Sequence, residues 1–473
     1  MDLLVIGGSD AGVTAALRAR ELAPDVEVTV VVADEYPNYS ICGIPYHVSG
    51  DVPDWRSLAH RTRADLEATG MRLRLNETAV SIDPAAHVVQ TRSSDGDLRQ
   101  IGYDKLIIAT GAVPVRPPIQ GLDQLGAADG VHVLHSMDDT FALTDDLDKR
   151  RPATAAIIGA GYIGVEMAEA LSARGLRVTV FEQFSQVLPN TLDPALAKLV
   201  ETELVGHGVE VLTGVSVGSV VRDYVPGGVL LSCSDSSTRR ADVVLVVTGV
   251  RPETSLAAAS GAGLGVRGAI IVDERMRTSV PDVYAAGDCV HTHHRLLDSP
   301  VYLPLGTTAH KQGRVAGENA IGGDAAFAGV CSTQVVKVFD TVVAATGFRD
   351  SAARDAGFAP LTVAGVFDDH KAYYPGSTPV HVAITGDRKT GRLLGAQLVG
   401  RLGAEISKRV DTFATAITYV ASVADVGDLD LSYTPPLGSP YDAVQLATQA
   451  WTRAVRSPTR HVNPREGRPS SAL

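Results

Sequence analysis

The sequence predicts an α/β chain with two doubly wound, Rossmann-like nucleotide-binding domains followed by an α+β C-terminal domain. Three observations carry this prediction. Two glycine turns, Gly7-Gly8-Ser9-Asp10-Ala11-Gly12 and Gly159-Ala160-Gly161-Tyr162-Ile163-Gly164, each follow a short apolar run and open a helix-like stretch. In that pattern backbone N–H groups and a helix N-terminus receive a pyrophosphate, so two turns imply two dinucleotides. Beyond about residue 326 the pattern changes to strand-rich segments with two helices. A chain of 473 residues also has room for about three domains of ordinary size.

Taken in order, strand, glycine turn and helix occupy 2–22, and a second strand runs Val26–Ala33. Segment 34–60 is loop-rich and holds Cys42 and Pro45. Tyr103–Gly111 is expected as a buried strand ending in the small turn Thr110-Gly111. Pro114, Pro117 and Pro118 mark a linker into the second strand–turn–helix–strand unit, whose second strand ends at Glu182. Asp242–Val247 is a further strand with a turn at Gly249, and Thr278–Asp288 is a strand ending in the acidic turn Gly287-Asp288. The expected division is therefore 1–118 with 248–325, then 119–247, then 326–455. The Pro-, Ser- and Arg-rich segment 456–473 is expected to be a disordered tail.

A net charge of −12 and 45% hydrophobic residues describe an ordinary soluble chain and argue against nucleic acid or an anionic membrane as partner. No apolar run reaches the roughly 18 residues of a membrane span. The first strand begins at Leu3, which leaves no room for a cleaved leader. Cysteines 42, 233, 289 and 331 form no close pair and no metal-ligand spacing, so a reducing, cytoplasmic setting is expected and no metal site. His291, His293 and His294 lack flanking acids or cysteines and are expected in an exposed loop.

The second turn fills all three positions of G-x-G-x-x-G with Gly159, Gly161 and Gly164, and Glu182 follows 18 residues after Gly164. A carboxylate there accepts from both ribose hydroxyls and repels a 2′-phosphate, which favours NADH while leaving NADPH open. The first turn departs from the fingerprint. Ser9 replaces the middle glycine, Val32 stands where the ribose acid is expected, and Asp34 is the nearest replacement.

These motifs, with Ala109-Thr110-Gly111, Ala285-Ala286-Gly287-Asp288, Pro304–Arg314, Lys408–Asp411 and Asp430–Pro436, occur in the order of the pyridine-nucleotide disulfide oxidoreductases. Over about 1–450 the chain most resembles the single-cysteine branch: coenzyme A disulfide reductases, NADH oxidases and NADH peroxidases. The resemblance implies that the first turn, with Gly7, Gly8, Gly12, Asp34, Thr110 and Gly111, holds FAD. Asp288 would bond the ribitol, and the helix near Thr307–Ala309, through Thr308 and Ala309, would aim its dipole at the flavin. Tyr162 would cover the flavin face used by nicotinamide, with Ile163, Glu166 and Gly249 nearby. The C-terminal domain would make a homodimer.

Cys42 carries the chemistry in this resemblance. Two-cysteine relatives use C-x4-C, and the second position here is His47, which excludes an internal disulfide at this site. A lone thiol facing a flavin forms a mixed disulfide with a small thiol or a sulfenic acid. Tyr433 and one of Tyr373 and Tyr374 match tyrosines that reach the partner subunit's cysteine. Arg18 and Arg20 match positions that meet coenzyme A phosphates. Asp10 stands where the peroxidases and oxidases carry histidine, and is expected to act as an acid/base or as an anionic filter beside Cys42. The implied activity is NAD(P)H reduction of a small disulfide or persulfide through FAD and Cys42, with coenzyme A disulfide favoured. The alternatives are an NADH oxidase or peroxidase, a reductase of a metalloid species, and a low-turnover redox sensor.

Overall fold

The computed structural model describes residues 1–224, 227–297 and 299–456, so the tail expectation lies outside the described residues for 457–473. The chain forms two compact units, Met1–Gln183 with Val215–Val330 and Phe184–Gly214 with Cys331–Leu473.

The first unit holds two parallel sheets. In one, strands Val283–Ala285, Lys105–Ile108, Asp2–Ile6, Glu27–Val31 and Arg72–Arg74 lie side by side in that order, every neighbouring pair parallel. In the other, Thr154–Ile158 lies between Arg177–Glu182 and Val243–Val246, and Val131–Val133 continues it. The central strands are apolar throughout because both faces are covered, as a parallel sheet requires. Leu3, Leu4, Val5, Ile107, Ile108, Ile157 and Val244 are all buried. Each such side chain stabilises the fold by about 1.5–3 kcal/mol on transfer out of water. Small antiparallel sheets, Glu77–Asp83 with Val88–Ser93 and Leu98–Gly102, and Val217–Arg222 with Val229–Cys233 and Thr238–Ala241, are attached to this frame. The proline linker forms the short strand Ala112–Pro114, which pairs antiparallel with Val250–Pro252, so the outgoing and returning segments run together.

The second unit is built on one antiparallel sheet in the order Gln334–Val338, Thr341–Gly347, Leu393–Arg401, Pro379–Asp387, Pro360–Asp368. The central strand Leu393–Arg401 is buried along all but its last residue. Helices Ile406–Thr418 and Ala443–Arg456 cover this sheet, and the Trp451 indole N–H donates to the Leu361 carbonyl at 2.8 Å. The Pro194–Gly206 helix belongs here too, tied by Arg401 to Glu203 at 2.9 Å and by the amide nitrogen of Gln397 to Asp193 at 2.9 Å.

Two local expectations are corrected. Segment 34–60 is less irregular than its composition suggests, since it contains a 3-10 turn at Ile41–Gly43, a helix at Ile44–Ser49 and a second 3-10 turn at Trp55–Leu58. The histidine cluster is not an exposed loop. Thr292–His294 is a strand paired with Ser299–Val301, and His294 is buried, which pushes its imidazole down to about 4.

Candidate active site

Both glycine turns are closed by backbone contact. Gly7 has φ +117°, and a side chain on Gly12 would place its Cβ 2.0 Å from the Gly7 carbonyl oxygen. Gly159 has φ +113°, and a Cβ on Gly164 would lie 2.0 Å from the Gly159 carbonyl oxygen. Only glycine permits these approaches. Helices Asp10–Leu22 and Tyr162–Ala173 start directly from the two turns.

Beside the second turn, Glu182 is buried and accepts from the Ala160 N–H at 2.9 Å, so the acid also braces the turn. Beside the first, Val32 packs where a Cβ on Gly8 would fall, 2.6 Å from Val32 Cγ2. Asp34 lies just past that strand and accepts from the Tyr36 N–H at 2.9 Å, with burial pushing its carboxyl up. The Thr110 hydroxyl donates to the Glu253 carbonyl at 2.6 Å, and Gly111 (φ +69°) and Gly249 (φ +113°) form open turns nearby.

Cys42 lies in the 3-10 turn Ile41–Gly43, exposed, whereas Cys233, Cys289 and Cys331 are buried. The next helix, Ile44–Ser49, packs against Tyr162–Ala173, and the Tyr46 hydroxyl donates to Glu166 Oε1 at 3.4 Å. Desolvation pushes the Cys42 thiol up, and the charges of Glu166, Asp10 and Asp288 add to it. His47 at the C-x4-C position engages the Val52 carbonyl through Nδ1 at 2.8 Å.

The Gly306–Ala320 helix places Thr308 and Ala309 in its first turn, both buried. It lies directly on the Asp10–Leu22 helix, because a Cβ on Gly313 or Gly317 would stand 2.2 Å from the Ala11 or Ala15 carbonyl oxygen. From the same helix Gln312, fully buried, accepts from the Gly287 N–H at 3.0 Å and donates to Thr292 at 2.9 Å, which fixes the turn that carries Asp288. Burial and the Asp10 charge push the Asp288 carboxyl up to about 6. Asn38 Oδ1 and the Tyr302 hydroxyl are also buried here without a hydrogen-bond partner among the described residues. Side-chain polar atoms left this way need a polar ligand. A side-chain-free glycine turn, a hydroxyl-seeking carboxyl and two orphaned polar atoms fit a dinucleotide with a polyol chain.

Sequence reasoning missed Tyr302 and Gln312, and gave Asn38, a departure it noted, no stated role. Asn38 carries one usable signal, a residue of turn-forming type between Pro37 and the Cys42 segment, and its φ is +61°.

In the second unit Tyr373 and Tyr433 are both exposed and lie close together, and the Tyr433 hydroxyl is pushed up by desolvation and by Tyr373. Tyr374 instead faces the His370 ring, 5.8 Å between centroids. Of the two tyrosines the sequence left open, Tyr373 is the one brought to Tyr433. The two arginines matched to coenzyme A have partners within the protein. Arg18 is paired with Glu318 at 2.6 Å and Glu21 at 2.8 Å, and Arg20 donates to the backbone carbonyls of Thr69, Pro24 and Val26.

Residues 1–313 match the pyridine nucleotide-disulphide oxidoreductase family, and residues 333–443 match its dimerisation domain. The chain belongs to this family. It is an NAD(P)H-dependent flavoprotein oxidoreductase with FAD as its cofactor. It is 34% identical over 440 residues to the NAD(P)H sulfur oxidoreductase (CoA-dependent) of Pyrococcus abyssi, covering 93% of this chain and 96% of that one. It is 31% identical over 451 residues to an NADH oxidase of Methanocaldococcus jannaschii, covering 95% and 98%. Among solved structures it is similar to a NAD-dependent persulfide reductase from A. fulgidus, with TM-score 0.91, 36% identity and coverage of 96% and 83%. No helix among the described residues is long and apolar enough to cross a membrane.

Proposed function

We propose that this enzyme uses NADH to reduce a low-molecular-weight disulfide or persulfide, with Cys42 as its single redox thiol and coenzyme A disulfide as the favoured substrate class. The observation that carries the reading is the setting of Cys42. It is an exposed thiol on a turn whose following helix packs against the second nucleotide helix, under the charges of acids from both nucleotide-binding halves. The Pyrococcus abyssi sulfur oxidoreductase and the A. fulgidus persulfide reductase support the substrate class by their activities.

The balance is NADH + H⁺ + RS–SR → NAD⁺ + 2 RSH. FAD, when bound, passes the two electrons from nicotinamide to sulfur. Cys42 attacks one sulfur of the substrate, forming a mixed disulfide and releasing one thiolate. Desolvation, with the charges of Glu166, Asp10 and Asp288, holds the thiol up in the protein alone. Glu182 sets the preference for NADH. Tyr433, with Tyr373 near it, donates the proton to the departing thiolate, and these tyrosines serve the partner subunit of a homodimer. Asp10 is the acid/base or anionic filter on this face.

The similarity to an NADH oxidase favours one rival, in which Cys42 cycles as a sulfenic acid. One experiment separates the two: anaerobic NADH oxidation with coenzyme A disulfide, glutathione disulfide or peroxide added in turn, and oxygen tested apart. Fast turnover with a disulfide, lost in Cys42→Ser by at least ~10³-fold as expected for removal of a nucleophile, supports the disulfide reading. Turnover with oxygen or peroxide alone overturns it in favour of the rival.

A further inference from the structure

Asp10, His60 and His310 come from three separate elements: the start of the Asp10–Leu22 helix, the segment between Leu58 and Arg63, and the Gly306–Ala320 helix. One ligand atom of each lies within 4.8 Å of the other two. His310 Nε2 is 3.4 Å from Asp10 Oδ1, and the His60 and His310 rings meet edge-on with centroids 6.1 Å apart. Neither imidazole is sealed in the core, since His60 is exposed and His310 is half-buried.

We propose that these three side chains form a binding site for a divalent transition metal of the zinc class, with an open coordination position. Three features support it. Asp10 Oδ1 is buried and accepts no hydrogen bond among the described residues, which is costly for a carboxylate oxygen unless a cation meets it. The His310 Nδ1 lies 2.8 Å from the Thr14 hydroxyl. Donation from Nδ1–H to that oxygen leaves the Nε2 lone pair facing Asp10, the outer contact that metal-bound histidines usually have. The 3.4 Å separation of Nε2 and Oδ1 is also close to the edge of a zinc tetrahedron, about 3.3–3.4 Å for bonds of about 2.0–2.1 Å.

Two histidines and one carboxylate with a vacant position suit zinc or a similar borderline cation rather than calcium or magnesium. A cation held on Asp10 would offset one of the carboxylate charges that act on Cys42, and its vacant position is suited to a thiolate. The proposal concerns binding alone and does not depend on which substrate Cys42 reduces.

The test is calorimetric titration of Zn²⁺ into chelator-treated, flavin-loaded enzyme. A Cys42→Ser, His207→Ala background removes the thiol and the separate Glu203–His207–Asp340 cluster as competing ligands. One site per subunit is expected. His60→Ala and His310→Gln should each weaken it by at least about tenfold, and Thr14→Val by about tenfold, the usual cost of losing an orienting contact. His87→Ala, remote from the cluster, should leave it unchanged. Absence of a saturable site, or affinity unaltered by both histidine changes, overturns the proposal. His60 is exposed, so its loss should not disturb folding, and that variant keeps the test decisive if His310→Gln fails to fold.

Discussion

The two glycine turns solve the same backbone problem and differ in everything that touches a ligand. In both, the first glycine has φ near +115° and the last admits no Cβ, with the clash at 2.0 Å in each case. The middle position separates them. Gly161 has φ −75° and open space where its side chain would be, and its counterpart in the first turn is already a serine, Ser9. The outer glycines are therefore demanded by the chain's own packing, whereas the middle one leaves space for whatever binds. The acids divide in the same way. Glu182 is buried and bonded into its turn, while the first turn has Val32 against Gly8 and defers its acid to Asp34.

The sharpest way to break this comparison is to add one methyl group at each kind of position. Gly12→Ala and Gly164→Ala force a carbon into a backbone carbonyl, and each should cost more than about 3 kcal/mol. For Gly12→Ala the expected result is insoluble or flavin-free protein, read from the visible flavin spectrum and thermal unfolding. Gly161→Ala should keep both the melting temperature and the flavin. Its effect should appear in NADH binding, with KM raised by about tenfold or more because a methyl occupies the pyrophosphate's approach. If Gly161→Ala unfolds the protein as Gly12→Ala does, the middle glycine is structural and the distinction fails.

A smaller effect is expected at the acids. Glu182→Gln retains an acceptor for the Ala160 N–H but removes the charge that opposes a 2′-phosphate. The ratio of kcat/KM for NADH over NADPH should fall by about tenfold, or roughly 1.4 kcal/mol. Asp34→Asn should leave that ratio unchanged, because Asp34 belongs to the other half. An unaltered ratio in Glu182→Gln would show that NADH preference is set elsewhere.

The comparison also explains what was legible in the sequence. The two turns and the buried strand at Lys105–Ile108 follow from apolar runs ending at glycines, which is local information. Cys42 stood out through the resemblance, in which His47 takes the place of a second cysteine. The partners of Arg18 and Arg20 were not legible, since a helix-face position does not reveal that Glu318 or the Thr69 carbonyl lies across from it. The Asp10–His60–His310 cluster was invisible for a related reason. Its members are separated by 50 and 250 residues, and only the close approach of two helices through Gly313 and Gly317 brings His310 to Asp10. Gln312 escaped notice likewise, because its task is to hold the backbone of Gly287 in another part of the chain.

The least expected effect tests whether the second half reaches into the chemistry of the first. Glu166 lies on the second helix, yet among the charges that hold the Cys42 thiol up its contribution is first, ahead of Asp10 and Asp288. A raised thiol pKa means that the protonated form is favoured, so removing a nearby negative charge must move the titration downward. Glu166→Gln keeps the shape of the side chain and an acceptor for the Tyr46 hydroxyl. Its effect should therefore be electrostatic. The rate of Cys42 alkylation by iodoacetamide, followed against pH, should shift its midpoint to lower pH, and raised salt should shrink the difference between the two proteins. Coincident profiles would mean that solvent screens Glu166 from the sulfur, and desolvation alone would then account for the raised thiol.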